Sequence, residues 1–344
     1  MSSLGTKLGQ GLGRNAEEDG GGADKAREFL AGRPQVEVAT GGGRIEVWGA
    51  GLKRLEDADV SAAVMTIEPE SMALPMYSND EEVSYVVEGE ARAGLISPEG
   101  IRTNVSHRVL AKAWGVKEAD VAQLLQGQKD IAIAKVDPGK VVSGDPDADE
   151  GTSAASATDN SEGTVAFGDF VYNLIEEQAS IETPGGGTLT TADGFKLPVF
   201  QHLGVSAARI DLLPNAMAAP RWLSNSAAVH FVTRGSGRFE IAYPDGRKAL
   251  RKRVNAGDVV VVPAAFAHAV EASGEGLEYV ALSPKSKPKP GFLAGGNSVY
   301  SALPTAVLKA AFNVDEALAE KLRGTREGEY VILSPGKGKG DGGA

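Results

Sequence analysis

The sequence predicts a mainly β protein made of two similar barrels, each followed by a short helix pair, with the first barrel incomplete. Three observations predict this architecture: an internal repeat, a composition that favours strands and turns, and helical periodicity confined to the end of each half. The chain has 344 residues, of which 44 are glycine and 6% are aromatic. This length favours two domains, and the many glycines favour frequent turns between short strands.

The repeat joins VSAAVMTIEPESMALP at residues 60–75 to VSAARIDLLPNAMAAP at residues 205–220. Eight of these sixteen positions are identical at an offset of 145. The offset is 146 at Gly89 and Gly235, and it has risen to 198 at Val109 and Val307, so the first half lacks 52 residues that the second half has. A repeat of this kind predicts a duplicated structural unit. The gap predicts that the first half cannot close its barrel and that the second half folds alone.

Strands are predicted wherever short β-branched or apolar runs are bounded by Gly, Pro, Asn or Asp. In the first half these runs are RIEVW, SAAVMTI and VSYVVEG. In the second half they are VYNLIEE, LTTAD, ARIDLLP, VHFVTRGSGRFEIAY, DVVVVPA and LEYVALS. The PDG sequence at 244–246 predicts a hairpin that leads into the basic run RKALRKRV. A short helical turn is predicted over 23–32.

Helical spacing of apolar residues ends each half. It predicts helices over about 106–114 and 117–126, a strand over 131–136, and further helices over 303–312 and 314–324. Asn313 and Glu316 have the spacing of an N-cap residue and its N3 partner for the last helix.

Composition sets the boundaries between these parts. From Val141 to Val165 there is no Lys or Arg, and small, polar and acidic residues dominate. Such a segment cannot bury enough apolar surface to offset the entropy of ordering. The predicted parts are a disordered arm (1–40), an incomplete N-terminal domain with its helix pair (41–136), an acidic flexible linker (137–164), a complete C-terminal domain with its helix pair (165–334) and a disordered tail (335–344).

Charge and cysteine content exclude several functions. The net charge is −11 and there is no cysteine. An acidic chain is a poor partner for nucleic acid or anionic membranes, and a chain without cysteine has no disulfides or thiolate metal sites. No run of about 18 apolar residues predicts a membrane span. The N-terminus shows no apolar core of signal-peptide length, which predicts a cytoplasmic protein.

Three stretches of the second half carry a family resemblance: LLPNAMAAP (212–220), VTRGSGRFEI (232–241) and AGDVVVVPAAFAHAV (256–270). They resemble the legumin-type seed globulins of the bicupin superfamily, and Gly257, Pro263 and His268 have the spacing of the second cupin motif. The resemblance implies tandem jelly-roll barrels, trimers that assemble through the helices 106–126 and 303–324, and a nutrient-reservoir role. It also implies a storage vacuole as the alternative compartment if the N-terminus is incomplete.

The chain departs from the legumin pattern in its processing features. Legumins have a signal peptide, cysteines and an Asn-Gly cleavage site, whereas this chain has no cysteine and has Asn173-Leu174 at the matching place. The resemblance is therefore closest to signal-less, uncleaved legumin-like proteins.

Metal-dependent cupins hold a divalent ion with three histidines and a glutamate. Counting back from Gly235, the first three ligand positions hold Arg221, Leu223 and Ala228, and only His268 remains. One ligand of four does not hold an ion, so the sequence predicts no metal and no cofactor. His268 is expected to be a partly buried, hydrogen-bonded histidine at the barrel mouth. His230, displaced from the ligand positions, is expected to be packed or interfacial.

Arg221 has two interpretations. It is either a solvent-facing or inter-subunit arginine, or a cation that meets a carboxylate or phosphate near the lost metal position. The leading functional hypothesis is a non-catalytic, legumin-like nutrient reservoir. The alternative is a small-molecule or anion-binding module that uses Arg221 and His268, and a third hypothesis, a metal-dependent cupin enzyme, needs three more ligands.

Overall fold

The computed structural model describes ten stretches of the chain, and they form two compact units. The described residues are 28–31, 34–48, 52–74, 82–90, 111, 115–127, 133–135, 171–324, 326 and 328–336. The first unit takes its described residues from Gln35–Val47 and Ala62–Asp149. The second unit takes them from Lys7–Pro34, Trp48–Ser61 and Glu150–Ala344.

The described residues are mainly β. In chain order the strands are β1 (Leu30–Ala31), β2 (Gln35–Thr40), β3 (Gly43–Trp48), β4 (Ala62–Ile67), β5 (Ser71–Ala73), β6 (Ile133–Lys135), β7 (Ile181–Thr183), β8 (Gly187–Ala192), β9 (Ser206–Leu212), β10 (Met217–Leu223), β11 (Ala228–Ala242), β12 (Lys248–Asn255), β13 (Val259–Val262), β14 (Ala267–Ser283), β15 (Pro290–Phe292) and β16 (Ile332–Leu333). The helices are α1 (Lys53–Asp57), α2 (Glu118–Gly127), α3 (Val199–Leu203), α4 (Val299–Ala302), α5 (Thr305–Phe312) and α6 (Glu316–Gly324).

The first unit has two small sheets. One has the order β2-β3-β4, and the other pairs β5 with β6 in antiparallel register. Gly43 sits where β3 approaches the next strand most closely, because a Cβ placed there would lie 2.1 Å from the carbonyl O of Thr66. Its φ of +148° also favours glycine.

The second unit is one large sheet with the order β1-β13-β11-β14-β9-β8-β7. Strand β10 pairs with β14, β15 and β16, and β12 pairs with β11. The long strands β11 and β14 pair along most of their length, and their register shifts between Val232 and Arg234 and again between Gly235 and Gly237. Register shifts of this kind bend a strand, so β11 and β14 can each contribute to the two opposite walls of a barrel. The main hydrophobic core lies inside this sheet.

Most predicted strands and the hairpin are confirmed. The predicted runs correspond to β3, β4, β6, β8, β9, β11, β13 and β14. The hairpin from β11 to β12 turns at Gly246, whose φ is +84°.

Two predicted strands are wrong. The VYNLIEE segment is a turn, because the side-chain Oδ1 of Asn173 accepts hydrogen bonds from the backbone N–H groups of Ile175 (2.9 Å) and Glu176 (3.2 Å). Residues 83–89, the VSYVVEG segment, form no strand. Their repeat counterparts, residues 229–235 of β11, pair with β13 and β14, which lie in the stretch of the second half where the first half is 52 residues shorter. A strand without neighbours loses the hydrogen bonds that would stabilise it.

The helix predictions are confirmed for α2, α5 and α6. The predicted helix over 106–114 lies outside the described residues except for Ala111, which is helical. The capping prediction is wrong: Asn313 ends α5 in the left-handed region with φ 52°, and Asp315 caps α6. The Oδ1 of Asp315 accepts a hydrogen bond from the N–H of Leu318 at 2.8 Å. Asn tolerates the left-handed conformation that a helix end requires, so Asn313 ends α5 and Asp315 serves as the N-cap of α6.

The predicted arm over 1–40 is too long at its C-terminal end. Of the helical turn predicted over 23–32, residues 23–27 and 32 lie outside the described residues, while 28–29 form a turn and 30–31 form a strand. Residues 30–31 and 35–40 form β1 and β2, and Phe29 is fully buried. Because β1 pairs with β13, residues outside 165–334 contribute a strand to the second unit. Residues 1–27, the linker 137–164 and the tail residues 337–344 lie outside the described residues.

Candidate functional site

The structure brings the two predicted site residues together. Arg221 on β10 and His268 on β14 are directly opposite each other in antiparallel register. Such neighbours have Cβ atoms about 5 Å apart. Arg221 is half-buried, while His268 is 4% exposed. The pairing therefore places one cation at the edge of a buried imidazole.

Three further rings surround His268 inside the second unit. The ring of His230 lies 5.4 Å from that of His268, and the ring of Tyr279 lies 5.5 Å from that of His230. Phe239 stacks on His268 at 6.2 Å with an interplanar angle of 11°. All three added residues are at most 1% exposed. The site is thus a buried cluster of two imidazoles, a phenol and a phenyl ring.

Several polar atoms of this cluster have no hydrogen-bond partner within the described part of the chain. Both ring nitrogens of His268 and the Nδ1 of His230 are buried without a hydrogen-bond partner there. Buried polar groups are nearly always paired, and an unpaired one costs about 1–3 kcal/mol. The cluster therefore offers free hydrogen-bonding capacity to a water molecule or a ligand.

Burial and Arg221 together set the charge of the cluster. Burial, and then the positive charge of Arg221, lower the pKa of His230 to about 3. Burial, then Arg221 and His230, lower the pKa of His268 well below its usual value. Burial raises the pKa of Tyr279, opposed by Arg221, whose Nη2 donates to the phenol oxygen at 3.5 Å. At neutral pH both imidazoles and the phenol are uncharged, and Arg221 carries the one formal charge of the cluster.

This donor set does not fit a cupin metal ion. Of the four ligand positions, Arg221 brings a cation, Leu223 ends β10, and Ala228 begins β11. Across the described stretches no group of three His, Asp or Glu residues could hold a metal ion. A guanidinium beside two neutral imidazoles repels a divalent cation and favours an anion.

The sequence located Arg221 and His268 but did not assign His230, Phe239 or Tyr279 to the site. His268 is more deeply buried than expected, and its nitrogens have no partner among the residues that the structure describes. His230 is packed, as expected, but it faces the site. Strand alternation offered a signal, since Ala228 occupies a ligand position and a residue two places further faces the same side. No ligand position or strand alternation in the sequence indicated that Tyr279 belongs to the site.

The model of the family described as Cupin matches residues 29–142 and 172–320. The chain belongs to the cupin family. Two matched regions show a bicupin, with one cupin in each half. No described helix of this bicupin is long and apolar enough to cross a membrane.

Similar sequences are seed globulins. The cupin is 33% identical over 158 residues to the 13S globulin basic chain of Fagopyrum esculentum, a match that covers 46% of this chain and 81% of the relative. It is 33% identical to a 13S globulin seed storage protein of Fagopyrum tataricum over 46% of this chain and 30% of the relative. It is 27% identical to cocosin 1 of Cocos nucifera over 71% of this chain and 53% of the relative. The matches cover only about a third to a half of these two longer relatives.

Solved structures of globulins share the fold. Coconut cocosin has a TM-score of 0.72 at 18% identity, covering 90% of this chain and 99% of that one. Procruciferin, the 11S globulin of Brassica napus, has a TM-score of 0.68 at 18% identity over 91% and 99%. The 11S globulin of Wrightia tinctoria has a TM-score of 0.56 at 27% identity over 67% and 56%. The predicted legumin-like fold of tandem jelly-roll cupins is confirmed.

Proposed function

We propose that this cupin is a non-catalytic nutrient-reservoir protein of the seed storage globulin type. The observation that supports this most directly is its relationship to globulins named for seed storage, including matches at 33% identity. Both halves match the cupin family, so the similarity is not confined to a shared binding motif.

The site geometry supports the non-catalytic part of the proposal. Metal-dependent cupin chemistry needs a bound ion with open positions for substrate. Here Arg221 stands where the first ligand would be, and its charge opposes a cation next to His230 and His268. Both imidazoles have lowered pKa values, which makes each a weak general base, and neither ring nitrogen of His268 has a hydrogen-bond partner within the described residues that would orient it.

Protein abundance tests the reservoir role. Quantitative proteomics across tissues of the source organism should find the chain concentrated in seed or spore tissue and depleted during germination. A trace level in every tissue would argue against storage. Metal analysis of the purified protein tests the second part, because one transition-metal ion per chain would contradict a non-catalytic cupin.

We further propose a trimer that assembles through the helices at the end of each half, predicted at 106–126 and 303–324. The exposed apolar residues Val307, Phe312 and Leu318 on α5 and α6 support this. An incomplete first cupin over 41–136, a linker over 137–164 and a cytoplasmic or vacuolar site of accumulation belong to the same proposal. Light scattering of the purified protein tests the trimer, and imaging of a tagged chain tests the compartment.

A second candidate function is the binding of a small organic anion at Arg221 and His268. One specific observation favours it: buried, unpartnered imidazole nitrogens lie opposite a half-buried arginine. An anion would gain a charge-assisted hydrogen bond from the guanidinium. The Wrightia tinctoria 11S globulin, whose structure is described as revealing an auxin binding site, supports a search for small ligands.

A thermal-shift screen with organic acids, sugars and phosphates tests this candidate. We expect organic acids to raise the melting temperature and Arg221→Ala to abolish the response. Arg238→Ala is the matched control, because Arg238 is an exposed arginine on β11 of the same sheet. An equal response of wild type and Arg221→Ala would contradict binding at this site.

A further inference from the structure

A short segment that precedes the first sheet is built into the second unit. In β1, Leu30 pairs with Val260 and Ala31 pairs with Val259 in antiparallel register. The N–H of Val261 donates to the carbonyl oxygen of Phe29 at 2.8 Å. Without β1, the all-valine strand β13 would present a buried-type apolar edge to solvent.

Phe29 anchors this segment in the core of the second unit. Its side chain is fully buried, with ring centroids 6.0 Å from Tyr243 and 5.9 Å from Phe266. An extended segment that adds a strand and inserts one aromatic anchor into a pocket is a common mode of peptide recognition. Residues 28–31 therefore have the form of a bound peptide ligand.

A second segment, which contains α1, packs against Phe29. Arg54 of α1 places its guanidinium carbon 4.8 Å from the centre of the Phe29 ring. Arg54 also pairs with Glu28 at 2.8 Å and with Asp57 at 2.7 Å. Leu52 and Leu55, on either side of this arginine, are 3% exposed.

The same stretch makes a third contact at its start, where the rings of Trp48 and Phe231 lie 6.1 Å apart with an edge-on orientation. Residues 28–31, Trp48 and residues 52–60 are all N-terminal to the linker, yet they belong to the second unit. Below, these residues are called the N-terminal clamp.

We infer that the N-terminal clamp is a non-covalent latch that keeps the N-terminal part of the chain bound to the second barrel when the connection between the halves is cut. The chain has no cysteine, so no disulfide can hold two fragments together. The clamp supplies strand pairing, an aromatic anchor and ion pairs in its place. The free edge of β13 therefore binds an extended peptide that contains a phenylalanine. Residues 28–31 of this chain are that peptide.

Cleavage of the full chain tests the latch. Residues 153–157 are replaced by the recognition sequence of a site-specific protease, and the purified chain is cleaved and analysed by size-exclusion chromatography and native mass spectrometry at low micromolar concentration. We expect the two wild-type fragments to elute together. Phe29→Ala should raise the concentration at which the fragments separate at least tenfold, because the anchor is lost.

Phe195→Ala is the matched control, because Phe195 lies in the same unit and is 76% exposed. Its fragments should behave like wild type. Separation of the wild-type fragments, or equal retention in Phe29→Ala, would overturn the latch.

Hydrogen exchange on the wild-type chain decides the question if Phe29→Ala fails to fold. The Val261 amide, which donates to Phe29, should exchange equally slowly before and after cleavage. A tenfold or greater acceleration on cleavage would mean that the clamp leaves, and would also overturn the latch.

Discussion

At the scale of single residues, the buried histidines are the most unusual feature of this cupin. The rings of His230 and His268 lie 5.4 Å apart inside the second unit, and Arg221 beside them donates a hydrogen bond to Tyr279, whose ring lies 5.5 Å from His230. A buried imidazole next to a guanidinium stays neutral because both burial and like charge disfavour its protonated form. The free energy of unfolding should therefore fall as the pH is lowered.

We expect acid to destabilise the second unit through these two histidines. The pKa of His230 falls from 6.5 in the unfolded chain to about 3 in the folded one, so below pH 6.5 the unfolded chain binds a proton that the folded chain does not. The free energy of unfolding should then fall by about 1.4 kcal/mol per pH unit for each such histidine as the pH drops below 6.5. Urea unfolding at pH 7, 6, 5 and 4 measures this slope.

Substitution separates the histidines from the carboxyl groups that also titrate in acid. His268→Leu should flatten the acid slope by the share of one histidine, because leucine does not bind the proton that His268 takes up in the unfolded chain. His202→Leu is the control, since His202 is exposed on α3. Identical acid slopes in wild type and His268→Leu would contradict a neutral, buried His268.

A second residue-scale prediction concerns Gly235, the glycine from which the ligand positions were counted. Its φ is +76°, and a Cβ there would lie 2.2 Å from the carbonyl oxygen of Gly276. Gly235→Ala should lower the free energy of unfolding by roughly 2–3 kcal/mol, because the backbone must shift or strain. Gly274→Ala, with open space around the new methyl group, should change it by less than about 0.5 kcal/mol.

At the scale of elements, the end of α5 and the start of α6 show how a cap is chosen. The two helices are separated by three residues, and only one conformation satisfies both helix ends. Asn313 turns the chain at φ 52°, which leaves Asp315 to accept the hydrogen bond from Leu318. A sequence pattern with two acceptable caps cannot decide between them, because the decision depends on which residue takes the left-handed conformation.

Asp315→Ala should therefore destabilise α6 by about 1 kcal/mol, the usual cost of losing an N-cap side chain. Asn313→Gly should be neutral within about 0.5 kcal/mol, since glycine accepts the same φ. Thermal unfolding with hydrogen exchange over residues 316–324 measures both. The opposite order of effects would restore Asn313 as the N-cap.

The elements also show which parts of the fold the sequence could predict. Local patterns predicted strands such as β11 and β13, because alternation is a local property. The family resemblance placed Arg221 and His268 at former ligand positions, and their pairing in antiparallel register is a finding of the structure. Local patterns could not predict that β1 pairs with β13, because that contact joins residues 30 and 260. The strand prediction for the VYNLIEE segment failed for a local reason: the side-chain Oδ1 of Asn173 accepts two backbone hydrogen bonds, which outweigh a weak strand preference.

For the whole molecule, net charge and exposed apolar residues indicate the surface through which copies of the chain would associate. The net charge of −11 opposes close association unless apolar surface is buried in return. Helices α4 to α6 expose such surface. The exposed apolar residues on and beside them are Val299, Leu303, Val307, Phe312, Leu318 and Leu322. Obligate oligomer interfaces bury apolar patches of this kind.

The pair Leu318 and Leu322 tests this surface most directly, because residues four apart on a helix share one face and these two are 51% and 45% exposed. Leu318→Glu combined with Leu322→Glu should convert the proposed trimer into a monomer, since six carboxylates per trimer cannot be buried without partners. Leu213→Glu is the control, because Leu213 is 45% exposed and lies outside the helices. Light scattering measures the mass of each variant, and circular dichroism checks that the helices remain folded. A trimer that survives both glutamates would show that assembly uses another surface.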